Sequence, residues 1–372
     1  MTPIKRPYTR EAMMRDILPD VERWLGEGKS VAVATIIKTW GSAPRVIGSK
    51  MAVNGDGAMA GSVSGGCVES AVVQEALGVL ESGNPKRLHY GVTDKDAWEV
   101  GLACGGQIDL WVEPLAAWLD RSAEGASVFE VVVRALSDER LAVRALVLRR
   151  GDLPGGQSAV FTWGAEPVGS LPDGLWEEAQ AEARRLLGGG LSETRLQTVK
   201  GVEHEIFYDL LLPSPTLVII GGVHIGIELA GQAKLLGFRV IIIDPRRAFG
   251  TPDRFPMADS VLQAWPAEAL ATLELNPSVA VAAVSHDPKI DDPALIAALR
   301  SPAFYVGALG SAETNRQRSA RLKDAGITDE ELSRLRAPIG LDLGGRAPAE
   351  IALAVMAEII AVRAGSRLAD RR

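Results

Sequence analysis

Cysteine is nearly absent. Two thiols in 372 residues, Cys67 and Cys104, are too few for a disulfide framework. They stand 37 residues apart, with no C-x-x-C and no matching histidines among the four present, so a structural zinc site is disfavoured too. Aromatic residues are only 5% of the chain, which leaves the cores to Ala, Val, Leu and Ile. Positive charge is not in excess. Forty Lys and Arg face 47 Asp and Glu, a formal net charge of −7, which argues against nucleic-acid binding. Arginines gather between Arg316 and Arg336, but Glu313, Asp324, Asp329, Glu330 and Glu331 interleave with them and predict a solvated helical face. No apolar run approaches a membrane span, and MTPIKRPYTREAMMRD at the start has no apolar signal core. The absences together imply a cytoplasmic globular protein of two or three domains, with no nucleic-acid or membrane partner.

The pattern along the chain predicts an amphipathic helix over 11–25, strands at "SVAVATIIKT" and "SKMAVN", and a helix over 68–80. "RLHYGV" and "GQIDLWVEPL" read as two more strands. These make an N-terminal α+β domain, residues 1–120. In 121–212, "FEVVVRAL", "LAVRALVLR", "SAVFTW" and "HEIFYDLLLP" read as strands around one helix at 175–187; this β-rich segment is either part of the first domain or separate. Pro213-Ser214-Pro215 reads as a linker. From 216 to 372 short apolar strands ("TLVIIGG", "FRVIIID", "VAVAAVSH", "AFYVGALGS") alternate with helices, and Pro348 opens a long last one. That alternation predicts a Rossmann-like parallel sheet covered on both faces.

Two constellations carry candidate chemistry. The first is the cysteine pair. "GSVSGGCVES" (61–70) and "LACGGQ" (102–107) set each sulfur among glycines, where the backbone bends easily and approaches a ligand closely. Each cysteine is either a small buried hydrophobe or a reactive thiol, and the glycines favour the second. Cys67 precedes a predicted helix, whose N–H groups and dipole favour a thiolate; Glu69 opposes that, or holds a cation or a ligand hydrogen. Soft thiolates suit molybdenum, copper or persulfide sulfur better than hard cations.

The second constellation is the strand-to-helix turn Gly221-Gly222-Val223-His224-Ile225-Gly226. Gly221 and Gly226 fill the first and third places of G-x-G-x-x-G, and Asp244 follows Gly221 by 23 residues, where the ribose acceptor belongs. Val223 takes the middle place, with Gly222 beside it. His224 caps or lines the turn, and Arg246 and Arg247 meet a ribose phosphate or stand as loop charges. His286 and Asp287, at the end of a strand, are cleft candidates, and 307–311 is a further possible anion pocket. An NAD(P)-binding oxidoreductase, with Asp244 on the ribose, and an adaptor that only binds proteins are both compatible with these residues.

Several stretches in order carry a resemblance. "TWGSAPRVIGSKMAV", "GSVSGGCVE", "LACGGQIDLWVEP", "LVIIGGVHIGIELA" and "GALGSAETNRQRSARL", with "APIGLDLGGRAPAEIALAVMAEI", are similar to the XdhC/CoxI family of accessory factors for xanthine dehydrogenase and related molybdenum hydroxylases. The likeness covers 31–115 and 216–362. It implies a protein that binds molybdenum cofactor (molybdopterin), holds it while a cysteine desulfurase supplies the terminal sulfur, and helps insert it into the apo-hydroxylase. It also implies that the family's two glycine-flanked cysteines are Cys67 and Cys104 here, in contact with molybdenum or its sulfur. The family turn resembles G-A-G-H, from which Val223 departs. A homodimer is compatible with such a fold.

Overall fold

The computed structural model describes residues 13–43, 45–91, 106–120, 125–188 and 190–366. The chain divides into two units, Glu11–Pro213 and Ser214–Arg372, so the boundary falls within the Pro213-Ser214-Pro215 segment.

The first unit opens with α1 (Met14–Gly26), β1 (Val31–Trp40), β2 (Lys50–Asn54), β3 (Met59–Gly61) and α2 (Glu69–Ser82). It continues with β4 (Lys86–Tyr90), β5 (Gln107–Pro114), α3 (Ala116–Leu119), α4 (Val128–Ser137) and β6 (Ala142–Arg150). β7 (Leu153–Pro154), β8 (Ser158–Thr162), β9 (Val168–Gly169), α5 (Trp176–Leu187), β10 (Glu193–Val199) and β11 (Val202–Leu211) complete it. Two antiparallel sheets result, ordered β3-β2-β1-β5-β4 and β10-β11-β6-β8-β9, with β7 on β6. Alternation along β5 explains their packing. Ile108, Leu110 and Val112 face Val68, Val72, Ala76 and Val79 around α2, while Trp111 faces Leu146, Leu148 and Phe207 of the second sheet. A third cluster joins α1, α4 and both sheets through Ile17, Trp24, Val33, Val132 and Val160. The segment 121–212 therefore shares its core with the residues before it.

One expected strand is a helix. "FEVVVRAL" lies in α4, because Ser127 and Glu130 close a capping box and Val128, Phe129, Val132, Ala135 and Leu136 recur at helical spacing on the buried side. β10 went unforeseen, since its sequence, ETRLQTV, is polar and the strand is an edge with one buried residue.

The second unit contains β12 (Thr216–Ile220), α6 (His224–Leu235), β13 (Arg239–Ile243), β14 (Ser260–Leu262), α7 (Pro266–Ala271) and β15 (Val279–Ala283). Then come α8 (Pro288–Arg300), β16 (Tyr305–Ala308), α9 (Ala312–Asp324), α10 (Asp329–Ser333), β17 (Leu335–Arg336) and α11 (Pro348–Arg363). All pairings are parallel, in the order β14-β13-β12-β15-β16-β17. Counted from β12, this is 3-2-1-4-5-6, the Rossmann order, with its switch point between β12 and β15. Val218 and Ile220 meet α8 on one face, and Leu217 and Ile219 meet α6 and α11 on the other.

Candidate functional site

Cys67 is exposed and sits immediately before the N-cap of α2, Val68. Gly65 and Gly66 precede it with φ of +81° and +120°, a region that glycine alone enters freely. What holds this turn is Glu69. Its carboxylate accepts N–H bonds from Val63, Ser64, Gly65, Gly66 and Val68 at 2.9–3.2 Å. It also accepts the hydroxyls of Ser62, at 2.6 Å, and Ser64. Ser64 Oγ in turn receives the N–H of Cys67 at 2.9 Å. Burial raises the Glu69 carboxyl, but the Ser62 and Ser64 hydroxyls and the Ser64 N–H outweigh it and bring it down to about 2. Glu69 is 5% exposed. Expected as a cofactor contact, it instead fixes the loop from inside, because every N–H that the glycines free is turned onto it.

Cys104 lies outside the described residues. The strands on either side of its segment are described: Tyr90 ends β4 and Gln107 begins β5 opposite Trp40 of β1. Tyr90, Ala43 and Ile108 belong to the same cluster as Val63 and Val68, which flank the Cys67 turn. Gly106 is a close approach: a Cβ there would stand 2.6 Å from the Ala43 nitrogen.

His89, which sequence reasoning passed over, stands at the same sheet end. Its Nδ1 lies 2.6 Å from Asp109 Oδ1, and Arg87 holds the other oxygen of Asp109 at 2.6 Å. The imidazole is half exposed, its ring 6.0 Å from that of Trp40. The only signal for this pair is cross-strand register, His89 opposite Asp109, which no local pattern reveals.

In the second unit the glycine turn has internal reasons. A Cβ on Gly221 would meet Ser285 Cα at 2.7 Å, one on Gly222 the Phe249 oxygen at 2.2 Å, and one on Gly226 the Gly221 oxygen at 2.8 Å. Val223 is the N-cap of α6 and packs against the core of that face. Asp244, expected on a ribose, is fully buried. It accepts the Gly222 N–H at 2.7 Å, the Arg246 N–H at 2.9 Å and the Arg246 side chain at 3.0 and 2.7 Å. Burial raises its carboxyl, but the bonds from Arg246 and Gly222 prevail and lower it. Both the ribose acceptor and the expected phosphate contact, Arg246, are thus engaged with each other, and Arg246 also lies 4.2 Å over the Phe249 ring. His224 is 72% exposed on its side chain, 3.6 Å from Glu228. Asp287 caps α8 by accepting the Lys289 N–H, and Ser311 caps α9.

One residue of the arginine-rich stretch departs from the expected solvated face, while Arg316 stays 76% exposed on its side chain. Arg318 is buried on α9 and reaches Asp291 Oδ2 at 3.3 Å, while Ser285 donates to Oδ1 at 2.7 Å. Burial raises Asp291 and lowers Arg318. Among the described residues no three His, Cys, Asp or Glu side chains group as metal ligands. No described helix is long and apolar enough to cross a membrane.

Comparison with known proteins follows these elements. The profile described as "XdhC Rossmann domain" matches residues 217–359, and that of the "XdhC and CoxI family" matches 24–91. A Bacillus subtilis (strain 168) protein, named as a probable component of xanthine dehydrogenase, is 26% identical over 91% of this chain and 95% of its own. The Escherichia coli (strain K12) "Molybdenum cofactor insertion chaperone PaoD" is 29% identical over 94% and 88%. A crystal structure described as a xanthine dehydrogenase from Bacillus halodurans superposes with a TM-score of 0.67 at 23% identity, covering 95% of this chain and 97% of that one; it shares the fold. The chain belongs to the XdhC/CoxI family.

Proposed function

We propose that this protein carries molybdenum cofactor and inserts it into a molybdenum hydroxylase of the xanthine dehydrogenase type. The observation that carries the reading is the exposed Cys67, held ahead of α2 on a turn that Glu69 has already ordered. A thiol presented this way meets a soft metal or its sulfur without first paying to organise its loop. PaoD, named as an insertion chaperone and similar over nearly the whole chain, supports the same reading. In it Cys67 contacts molybdenum or its sulfur, Cys104 is the second thiol, and a cysteine desulfurase delivers sulfur to the bound cargo. The oxidoreductase alternative is disfavoured because the residue that should take the ribose, Asp244, is buried and fully bonded.

The test is transfer. Protein loaded with molybdenum cofactor and mixed with apo-hydroxylase restores its activity, and adding a cysteine desulfurase with cysteine raises the sulfurated fraction. Cys67→Ala lowers the rate of restoration at least about tenfold, since loss of even an outer-shell partner of a metal ligand costs that much. Restoration by the variant at the wild-type rate removes Cys67 from the mechanism.

A further inference from the structure

The strands at the sheet edges differ in length. In the sheet β10-β11-β6-β8-β9 one edge, β9, has two residues, whereas the other, β10, has seven. The outer strands of the other two sheets, β3, β4, β14 and β17, have two to five. Natural sheets blunt a long edge with proline, lysine or a bulge, because its bare N–H and C=O groups recruit another strand. β10, ETRLQTV, has none of these. Its register with β11 runs unbroken from Glu193 opposite Tyr208 to Val199 opposite Val202. Leu196, at its midpoint, is 63% exposed. A regular edge with an apolar side chain at its centre points to a strand that covers it.

The hairpin fixes which backbone groups are free. Lys200 and Gly201 have φ of +49° and +77°, a two-residue turn of type I′, so Val199 and Val202 close it as a hydrogen-bonded pair. Two further bonds agree with this phase. Glu203 gives its carbonyl to the Gly151 N–H, on the side of β6, and the Leu210 N–H turns the other way, to Ser192 Oγ. Along β10, Val199, Gln197, Arg195 and Glu193 therefore bond to β11, and Thr198, Leu196 and Thr194 direct their N–H and C=O outward. The side chains of these three share one face, that of Ile37, whose carbonyl accepts the Thr194 hydroxyl at 2.9 Å. Glu193 and Arg195 lie on the other face, with Arg185 and Glu182 of α5.

The outward residues, Thr194, Leu196 and Thr198, read the same from either end. We propose that β10 pairs with β10 of a second copy of this chain, antiparallel about a two-fold axis at Leu196. Leu196 then lies opposite its own counterpart, and Thr194 opposite Thr198 of the partner subunit. Each such pair exchanges two N–H···O bonds, and threonine opposite threonine is a favourable cross-strand pair. Arg195 faces Gln197 of the partner subunit, so no like charges stand opposite. This register overlaps the whole strand, whereas an axis shifted to Arg195 sets two arginines face to face. The symmetry of the edge favours a second copy over an unrelated strand, since an isologous contact needs a patch that complements itself. The pairing does not depend on the carrier function proposed for Cys67.

Sedimentation velocity of the full chain between about 1 and 100 µM tests this. The unmodified chain is expected to pass from monomer to dimer in that range. Leu196→Pro removes an outward N–H that β11 does not use, so the fold tolerates it and the dimer does not. Its dissociation constant should rise at least about tenfold with unchanged circular dichroism. If that variant does not fold, Leu196→Lys sets two ammonium groups across the axis and serves in its place. In a background of Cys67→Ala and Cys104→Ala, Leu196→Cys should cross-link to its counterpart under mild oxidation, since a hydrogen-bonded pair sets the Cα atoms about 5.5 Å apart. Thr198→Cys, opposite Thr194 and not its own counterpart, should not. A chain still monomeric at about 100 µM, a dimer that persists in a folded Leu196 variant, or equal cross-linking at 196 and 198 overturns the proposal.

Discussion

Glu69 shows how a single carboxylate can write the shape of a functional loop. Five backbone N–H groups and two hydroxyls converge on it, and its carboxyl falls to about 2 from an ordinary 4.5. A folded value below the unfolded one means stability that is complete above about pH 4.5 and lost as pH falls toward 2, about 3 kcal/mol at most. Glu69→Gln should accordingly lose roughly 1–3 kcal/mol at neutral pH, and its urea midpoint should converge on that of wild type near pH 2–3. A constant gap across that range would deny the carboxylate its role. The Asp291–Arg318 pair makes a different prediction. Arg318→Ala strands a buried charge and should cost about 3–5 kcal/mol, whereas the double variant Asp291→Leu, Arg318→Met should recover most of it. Thermal melts of the single variant and the double decide. At this scale the sequence was half legible. The glycines around Cys67 foretold a special backbone, but the destination of their N–H groups, like the burial of Asp244 and Arg318, depends on tertiary packing that no local window contains.

At the scale of elements, most strands were readable because β-branched runs in buried sheets have few other places to go. α4 was misread although its capping box, Ser127 and Glu130, stands in the sequence. Three consecutive valines drew the reading to a strand, and the cap decided otherwise. Ser127→Ala should therefore destabilise the first unit by about 1 kcal/mol, measured by chemical denaturation; no change would mean that burial of Val128 and Val132 alone sets the helix. The opposite error, missing β10, has a plain cause: an edge strand needs only backbone partners on one side and carries little apolar pattern. The glycine turn after β12 was legible as Rossmann geometry but not as an occupied site. Its three glycines each relieve a contact with the protein's own atoms, so the motif reports strand–helix packing here.

At the scale of the molecule, the Pro213-Ser214-Pro215 segment divides two units with separate cores. Limited proteolysis should cut there first and release a fragment beginning near Ser214 that keeps cooperative thermal unfolding; a fragment that melts without a transition would mean that the second unit depends on the first. The carrier reading places its chemistry on the two thiols, of which Cys67 stands exposed on a described turn ahead of α2. Molybdenum retained after anaerobic loading and gel filtration therefore measures the account at its centre. Wild-type protein should keep the metal, Glu69→Gln should keep less, and Cys67→Ser should keep almost none while remaining folded. Full retention by folded Cys67→Ser would contradict the account.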